Sequence, residues 1–315
     1  MKKILFVLML GVVPVIAAPK PIPSTEVFKQ VGDLEIKAEV YSYADEQVRP
    51  CVVWFHGGAL INGGRQGISS RVRNFAFENG YVLVSFDYRL APETMLPEII
   101  ADLEDGMAWL VREGPKKFRI NPQRIAVTGG SAGGYMTLTA GFRAKERPKV
   151  LLAFWGYGDL VGEWYAKPSP HYRHHRIIVT PEAARAQVSG PPIANSRDRK
   201  GNGGIFYVHC RQQGNWPTAV AGWNPHTEPA KFYPFMAVKN VDANYPPTVM
   251  IHGMEDTDVP FEQSVMMVEQ LKKHGVDHLL LAVENGEHGL AGADRAEIEE
   301  ANRRAFAFVK ERLER

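Results

Sequence analysis

The chain has 315 residues, 45% of them hydrophobic and 23% charged, and this ordinary globular composition excludes collagen-like, coiled-coil and disordered proteins. The 37 lysine and arginine residues nearly balance 35 aspartate and glutamate residues, and the formal charge of +2 gives no indication of a nucleic-acid partner. Two cysteines are too few for a disulfide scaffold or for a zinc site built from cysteine.

Residues 1–18 have the layout of a secretory signal peptide. Two lysines precede an apolar run over residues 4–16, and Ala17 and Ala18 supply the small residues of a cleavage site. The run is shorter than the roughly 20 apolar residues that span a bilayer, so we favour a removed signal over a retained membrane anchor. The sequence therefore predicts a mature chain, residues 19–315, that is periplasmic or secreted and has no stable membrane insertion.

After this segment, strand-like and helix-like stretches alternate. An apolar–polar alternation around Gly32 predicts a hairpin, and short runs rich in valine predict strands that are buried on both faces. The predicted strands cover residues 26–43 (the hairpin), 51–55, 81–86, 124–128, 150–155, 248–252 and 279–283, and the predicted helices cover residues 69–79, 96–112, 132–145, 261–274 and 293–313. We expect Gly114 and Pro115 to end the second helix. This alternation predicts an α/β fold with a mostly parallel sheet and helices on both faces.

The alternation stops between residues 156 and 245. This segment, called the insertion below, is rich in Pro, Gly, Trp, His and Arg, and such a stretch is typical of a lid or a set of binding loops. We therefore predict a single domain with a cap formed by the insertion. The run from His171 to Arg176 has no carboxylate nearby, so we favour a solvated cationic loop over a metal site.

The side chains of the insertion leave two questions open. Aromatic residues in and next to it either line a substrate pocket or pack the insertion on the core; they are Trp155, Tyr157, Trp164, Tyr165, Trp216 and Trp223. Several arginines are candidates to bind an anionic substrate group; they are Arg173, Arg176, Arg197, Arg199 and Arg211. Cys51 begins a predicted strand, so we expect a buried free thiol there, although an oxidising compartment would allow pairing with Cys210.

The sharpest motif is Gly-Gly-Ser-Ala-Gly over residues 129–133, which fits G-x-S-x-G. It lies between a predicted strand and a predicted helix, and a turn of this kind holds its serine in a strained conformation above the sheet edge. The serine then lies at a helix N-terminus, which favours developing negative charge. A glycine-rich helix cap without chemistry is the simpler alternative. The setting favours Ser131 as a nucleophile.

A nucleophilic serine needs a base, and the base needs an acid that orients it. His288 lies on a glycine-flanked loop after the last predicted strand, where a base would project over Ser131. The alternative is an ordinary loop histidine. We expect His252, at the end of a strand, to make a structural hydrogen bond instead.

The acid is expected in the acidic loop, residues 254–259, which follows a predicted strand and contains three carboxylates. The spacing H-G-x-x-D-x-x-V-P selects Asp256, and Asp258 is the alternative. We expect Glu255 to be a solvated charge. The acid would accept the Nδ1–H of the imidazole and stabilise the imidazolium.

Residues 56–59, called the glycine turn below, read His-Gly-Gly-Ala and follow a predicted strand. A tetrahedral intermediate needs N–H donors aimed at its oxyanion, each worth on the order of 3 kcal/mol. The backbone of Gly58 and Ala59 can supply donors, and Ala132 can supply another. The alternative is a tight turn without chemistry.

Three motifs occur in order along the chain: the glycine turn, the segment Asp-Tyr-Arg-Leu-Ala-Pro-Glu over residues 87–93, and Gly-Gly-Ser-Ala-Gly-Gly over residues 129–134. In this order they resemble the α/β-hydrolase carboxylesterases of the hormone-sensitive-lipase-like and acetyl esterase group. The resemblance covers about residues 45–155 and 246–315. It implies an α/β-hydrolase fold and a serine hydrolase that cleaves short-chain carboxylic esters, such as acetyl esters, without a cofactor.

The resemblance also assigns roles to individual residues. It implies a triad of Ser131, Asp256 and His288, with an oxyanion hole formed by Gly57, Gly58, Ala59 and Ala132. It gives residues 87–93 a structural role. The sequence departs from the group at Ala59, which replaces a third glycine and narrows the acyl side. The acidic loop departs as well, because it looks more like that of acetylxylan-esterase-like and oligopeptidase-like hydrolases.

These observations predict an exported serine carboxylesterase that works through an acyl-enzyme intermediate. Its expected partner is a small-molecule ester, and we expect neither a cofactor, nor a metal, nor a nucleic acid. A serine peptidase or amidase with the same triad is the first alternative. A non-catalytic ligand-binding homologue is a less favoured one. The natural acyl and alcohol groups and the oligomeric state are left open by the sequence.

Overall fold

The structure, a computed structural model, describes residues 20–315. The predicted signal peptide, residues 1–18, lies outside the described residues. In the described range, no helix combines the length and the apolar character that crossing a bilayer requires.

One sheet of eight strands runs through the molecule. Its strands are β1 (Ile22–Val31), β2 (Leu34–Ser42), β3 (Arg49–Phe55), β4 (Val82–Phe86), β5 (Ile120–Gly130), β6 (Val150–Phe154), β7 (Thr248–Gly253) and β8 (His278–Val283), and their order across the sheet is β1-β2-β4-β3-β5-β6-β7-β8. β2 pairs with β1 and β4 in antiparallel fashion, and the other neighbours are parallel. The predicted α/β architecture with a mostly parallel sheet is confirmed.

Helices cover both faces of the sheet. Those of the core are α1 (Ser70–Glu78), α2 (Leu96–Phe118), α3 (Ala132–Arg143), α9 (Glu262–Lys273) and α10 (Arg295–Glu314). The alternation of side chains along β3 divides the core into two layers. Val53 and Phe55 pack in one layer with residues of α2 and α3, and Val52 and Trp54 pack in the other with residues of α1 and α10.

The expected end of the second helix at Gly114 and Pro115 is wrong. α2 continues through Pro115 to Phe118 and ends where Arg119 adopts a left-handed conformation with φ 53°. A proline inside a helix removes one donor and crowds the preceding turn. Phe118 and Ile120 are both buried, and we attribute the extra turn to the apolar burial that it gives them.

The insertion connects β6 to β7 and is built from short elements. Its helices are α4 (Glu163–Ala166), α5 (Pro181–Ala186), α6 (Gly203–Gln213), α7 (Trp216–Ala221) and α8 (Ala237–Asn240), with 3₁₀ turns between several of them. α6 is the longest of these helices, and its buried residues include polar ones such as Arg211 and Gln212. Tertiary contacts therefore matter more for this helix than helix propensity.

Both cysteines are buried free thiols, Cys51 in β3 and Cys210 in α6. Burial raises the pKa of each thiol, that of Cys210 to about 12. Each side chain behaves as a small apolar residue of its own region.

Candidate active site

Ser131 lies at the sharp turn between β5 and α3. Its backbone has φ 57° and ψ −123°, a conformation that costs a non-glycine residue on the order of 1–3 kcal/mol. The turn is held in place because the Ser131 N–H donates to the Phe154 carbonyl at 2.9 Å. A methyl group on Gly133 would overlap the Phe55 carbonyl oxygen. The flanking glycines therefore allow the close approach of chains that the strained serine requires.

The glycine turn lies directly beside Ser131. A Cβ atom on Gly57 would lie 3.4 Å from the Ser131 Cβ, and φ is 112° at Gly58 and 58° at Ala59. The backbone N–H groups of Gly57, Gly58, Ala59 and Ala132 donate no hydrogen bond to any other group in the described part of the chain. Free N–H groups next to a serine hydroxyl provide the donors that an oxyanion needs.

Buried side chains hold the glycine turn in place. The Trp216 indole of α7 donates to the Ala59 carbonyl at 3.0 Å, and the Tyr88 hydroxyl donates to the His56 carbonyl at 2.8 Å. The His56 ring stacks on Tyr88 and lies 2.8 Å from the Gly57 carbonyl. Burial lowers the pKa of His56 to about 4, so this imidazole is neutral near pH 7. His56 is thus part of the support for the turn.

His288 and Asp256 are in direct contact. The His288 Nδ1 lies 2.8 Å from Asp256 Oδ2, and the other oxygen of Asp256 accepts the backbone N–H groups of Asp258 (2.8 Å) and Val259 (2.9 Å). Burial opposes the charge of Asp256, but hydrogen bonds from His252 and His288 outweigh it and lower its pKa to about 2. The carboxylate is therefore charged at neutral pH and fixes the proton of His288 on Nδ1.

The structure brings Ser131 and His288 to the same edge of the sheet without a hydrogen bond between them. Within residues 20–315, the Ser131 hydroxyl makes no hydrogen bond to the His288 ring. Trp155 lies near His288 and near Gly130, the residue before Ser131: its ring centroid is 6.3 Å from that of His288, and its Nε1 is 3.3 Å from a Cβ placed on Gly130. Hydrogen bonds of this kind are often long in unliganded sites and shorten when substrate binds.

The other residues weighed for these roles have different environments. His252 makes the structural contacts that we expected, 2.7 Å to Ser264 Oγ and 2.9 Å to the Val259 carbonyl. Glu255 is exposed, also as expected. Asp258, the alternative acid, does not contact Nδ1 of the base. It is buried, and its Oδ2 lies 3.8 Å from the Nε2 of His288.

The expectation of a solvated loop between His171 and Arg176 is only partly right. Tyr172 is 75% exposed, but His174 is 3% exposed and its Nε2 lies 3.0 Å from Asp258 Oδ1. Arg173 Nη1 donates to Glu287 at 2.6 Å. The carboxylates that accept these groups come from more than 80 residues away in sequence, so the local sequence could not reveal them.

Three of the five candidate arginines already have carboxylate partners. Arg199 forms two hydrogen bonds, 2.8 and 2.7 Å, with Glu93 of the segment 87–93, and both side chains are almost fully buried. Arg211 bonds Asp258, and Arg173 pairs with Glu287. Sequence reasoning missed these contacts, and no motif in the insertion signals them. The structural role expected for residues 87–93 agrees with this ion pair.

Some aromatic residues of the insertion are buried in its packing, and another lines a cavity. Tyr157, Tyr165 and Trp216 are fully buried and pack against one another. Trp164 is half-buried and lines a cavity of about 350 Å³, together with Arg211 and, from the core, Thr257 and Pro260. Packing is therefore the role of Tyr157, Tyr165 and Trp216, three of the six candidate aromatic residues.

Comparison with known proteins identifies the family. A family model described as an alpha/beta hydrolase fold matches residues 52–292. The chain belongs to this family. The match includes the glycine turn, the segment 87–93, Ser131, Asp256 and His288, and it confirms the resemblance to the α/β-hydrolase carboxylesterases.

Two solved structures share the fold over nearly their whole length. An acetyl ester-xyloside bifunctional hydrolase from Caldicellulosiruptor lactoaceticus is 20% identical, with a TM-score of 0.67, and the alignment covers 93% of this chain and 97% of that chain. A butyrate-bound thermophilic esterase from Thermogutta terrifontis is 19% identical, with a TM-score of 0.64 and coverage of 92% and 94%. At this identity they establish the fold alone.

A curated relative with a similar sequence is much longer. A non-reducing polyketide synthase of Stachybotrys bisbyi is 26% identical over 304 residues, which cover 84% of this chain but only 13% of the synthase. The chain therefore corresponds to a small part of that relative.

Proposed function

We propose that this α/β hydrolase is an exported serine esterase that cleaves short-chain carboxylic esters through an acyl-enzyme. The observation that carries the proposal is the strained Ser131 at a helix N-terminus, beside free N–H groups and at the same sheet edge as the paired Asp256 and His288. The esterases among the structural neighbours agree with it. The proposal that the acyl group is short rests on the family resemblance and on Ala59 in the glycine turn.

In the proposed reaction, His288 Nε2 takes the proton of the Ser131 hydroxyl while the serine oxygen attacks the ester carbonyl. The N–H groups of the glycine turn and of Ala132 stabilise the resulting oxyanion. Asp256 keeps the imidazolium oriented. The intermediate collapses when the alcohol leaves with the proton from His288. Water then attacks the acyl-enzyme by the same route and releases the carboxylic acid and free Ser131.

The test is hydrolysis of p-nitrophenyl acetate and p-nitrophenyl butyrate by the purified protein. We expect Ser131→Ala to lower kcat by at least about a thousandfold, because no other group replaces the nucleophile. The matched control is Ser189→Ala, which should keep the wild-type rate, because Ser189 is an exposed serine of the insertion that no step of the proposed reaction uses. Equal rates for wild type and Ser131→Ala would contradict the proposal.

Covalent labelling tests the acyl-enzyme step separately. A fluorophosphonate probe is expected to modify the peptide that contains Ser131 and no other, as read by mass spectrometry. Labelling at a different serine would contradict the assignment.

The peptidase alternative rests on the acidic loop. It is tested by comparing kcat/KM for p-nitrophenyl acetate with that for p-nitroacetanilide, which differ in the leaving group. We expect the ester to be strongly preferred, and a preference for the amide would favour the alternative.

Export is tested by the N-terminus of the protein recovered from cell fractions. Removal of residues 1–17 or 1–18 and recovery outside the cytoplasm are expected. An intact N-terminus on a cytoplasmic protein would contradict it.

A further inference from the structure

A second carboxylate lies beside the proposed base. Asp258 Oδ2 is 3.8 Å from His288 Nε2, while Asp256 contacts Nδ1 of the same ring. Asp258 is only 8% exposed. The imidazole therefore has one carboxylate near each of its nitrogens, and only the first of the two belongs to the proposed triad.

Asp258 is held mainly by side chains of the insertion. Its Oδ1 accepts hydrogen bonds from Tyr207 Oη at 2.6 Å, His174 Nε2 at 3.0 Å and Arg211 Nη1 at 3.2 Å. Tyr207 and Arg211 are one turn apart on α6, so both reach the same carboxylate. Burial opposes the charge of Asp258, but His174, His288, Arg211 and Tyr207 outweigh it and lower its pKa. The carboxylate is thus charged in the folded protein.

Two of these partners, the Tyr207 phenol and the His174 imidazole, are neutral. Because a carboxylate can only accept, His174 Nε2 carries the proton, and Nδ1 accepts from the Ser169 hydroxyl at 2.8 Å. Burial lowers the pKa of His174. The positive charge that faces Asp258 from the insertion therefore comes from Arg211 and from Arg173, whose Nη2 is 3.7 Å from Oδ2.

We propose that Asp258 is a positioning residue for His288, through which the insertion fixes the orientation and stabilises the charged form of the base. The proposal rests on the proposed function, because it takes His288 as the base. Three insertion side chains hold Oδ1 and leave Oδ2 as the oxygen nearest to Nε2. When Nε2 takes the proton of Ser131, the positive ring lies beside this charge. Asp258 itself takes no proton, which passes on to the leaving alcohol.

The charged and titratable groups that surround His288 come from four parts of the chain. They are Asp256 and Asp258 in the acidic loop, Glu287 beside His288, Arg173 and His174 in the insertion, and Arg211 on α6. Burial lowers the pKa of His288, Asp256 and Asp258 raise it, Arg173 lowers it, and the net effect is a raised pKa. Removing the charge of Asp258 should therefore lower the pKa of His288, and removing the charge of Arg173 should raise it.

The experiment is the pH dependence of kcat/KM for wild type, Asp258→Asn, Arg173→Gln and Arg176→Gln. Activity requires neutral His288, so it falls as the pH drops through the pKa of this residue. We expect the acidic limb of the pH profile of kcat/KM to move to lower pH in Asp258→Asn and to higher pH in Arg173→Gln. Arg176→Gln is the matched control, since Arg176 faces Tyr172, and its limb should stay in place.

The plateau of kcat/KM separates positioning from catalysis. Asp258→Asn should lose about tenfold or less, whereas Asp256→Asn should lose more than about a thousandfold. An unmoved limb in Asp258→Asn, or shifts of both variants in the same direction, would overturn the proposal.

NMR titration of the His288 ring in ¹³C-histidine-labelled protein provides a readout that needs no substrate. The pKa of the His288 ring should fall in Asp258→Asn and rise in Arg173→Gln. If the wild type hydrolyses no ester, the proposed function fails, but the titration still decides whether Asp258 acts on His288. If Asp258→Asn does not fold, as judged by circular dichroism, Arg173→Gln decides, and the absence of an upward shift overturns the proposal.

Discussion

Strand β3 of the core and helix α6 of the insertion bury their side chains for different reasons. All seven residues of β3 are buried, and from Cys51 to Phe55 successive ones pack into opposite apolar layers. α6 buries only six of its eleven residues, including Arg211 and Gln212. Each of these two bonds distant groups, Arg211 to Asp258 and Gln212 to the His174 and Ile177 carbonyls. Periodic apolar burial thus positions β3, whereas α6 depends in addition on specific polar partners.

The test with the largest expected effect compares a glycine of the core with a glycine of the insertion. A methyl group on Gly133 in α3 would overlap the Phe55 carbonyl, whereas one on Gly190 in the insertion would meet nothing within 4 Å. We expect Gly133→Ala to reduce the free energy of unfolding by about 3 kcal/mol or more, because backbone atoms must move. Gly190→Ala should change it by less than about 0.5 kcal/mol. Urea unfolding of both variants measures this, and equal effects would contradict the distinction.

A second test concerns the buried ion pair between the two regions, Glu93 with Arg199. Breaking it with Glu93→Gln leaves the Arg199 charge uncompensated, so we expect a loss of about 3 kcal/mol in the free energy of unfolding. Because Arg199 also donates to the Ile61 carbonyl next to the glycine turn, esterase activity should fall with it. Thermal unfolding and kcat for p-nitrophenyl acetate measure the two effects. A variant as stable as wild type would show that the pair does not hold the insertion.

The smallest expected effect concerns the partly exposed pair of Arg147 and Asp242, with two hydrogen bonds of 2.6 and 2.8 Å. The hydrogen bond from Arg147 lowers the pKa of Asp242 from 3.8 to about 2, so its contribution is present above pH 4 and lost as the pH falls through 2. Asp242→Asn should cost under about 1 kcal/mol at pH 7, because solvent screens an exposed pair. Unfolding at pH 7 and at low pH tests this, and a larger cost at low pH would contradict the sign.

The sequence predicted most core elements because their patterns are local. The runs that became β3, β4 and β6 are short and apolar, and the helices have apolar residues at helical spacing. Pro115 misled the prediction of the end of α2, since the burial of Phe118 is a tertiary effect. Local propensity cannot include such an effect.

In the candidate site too, local motifs were predictable from the sequence and tertiary contacts were not. Motifs located Ser131, His288 and Asp256, and the last two are in contact; their catalytic roles stay predictions. The contacts of Asp258 with the insertion could not be predicted, because Tyr207 is 51 residues away from it and no motif relates the two. Such pairs depend on how the insertion packs, which the spacing of residues does not encode.

The two buried thiols allow the opening of the core and the opening of the insertion to be measured separately. Cys51 belongs to the core and Cys210 to the insertion, and neither is accessible in the folded chain. A thiol must be exposed and ionised to be alkylated, so modification of each would follow the opening of its own region. The rates of iodoacetamide modification at the two positions would therefore reveal whether the insertion opens independently of the sheet or only together with it.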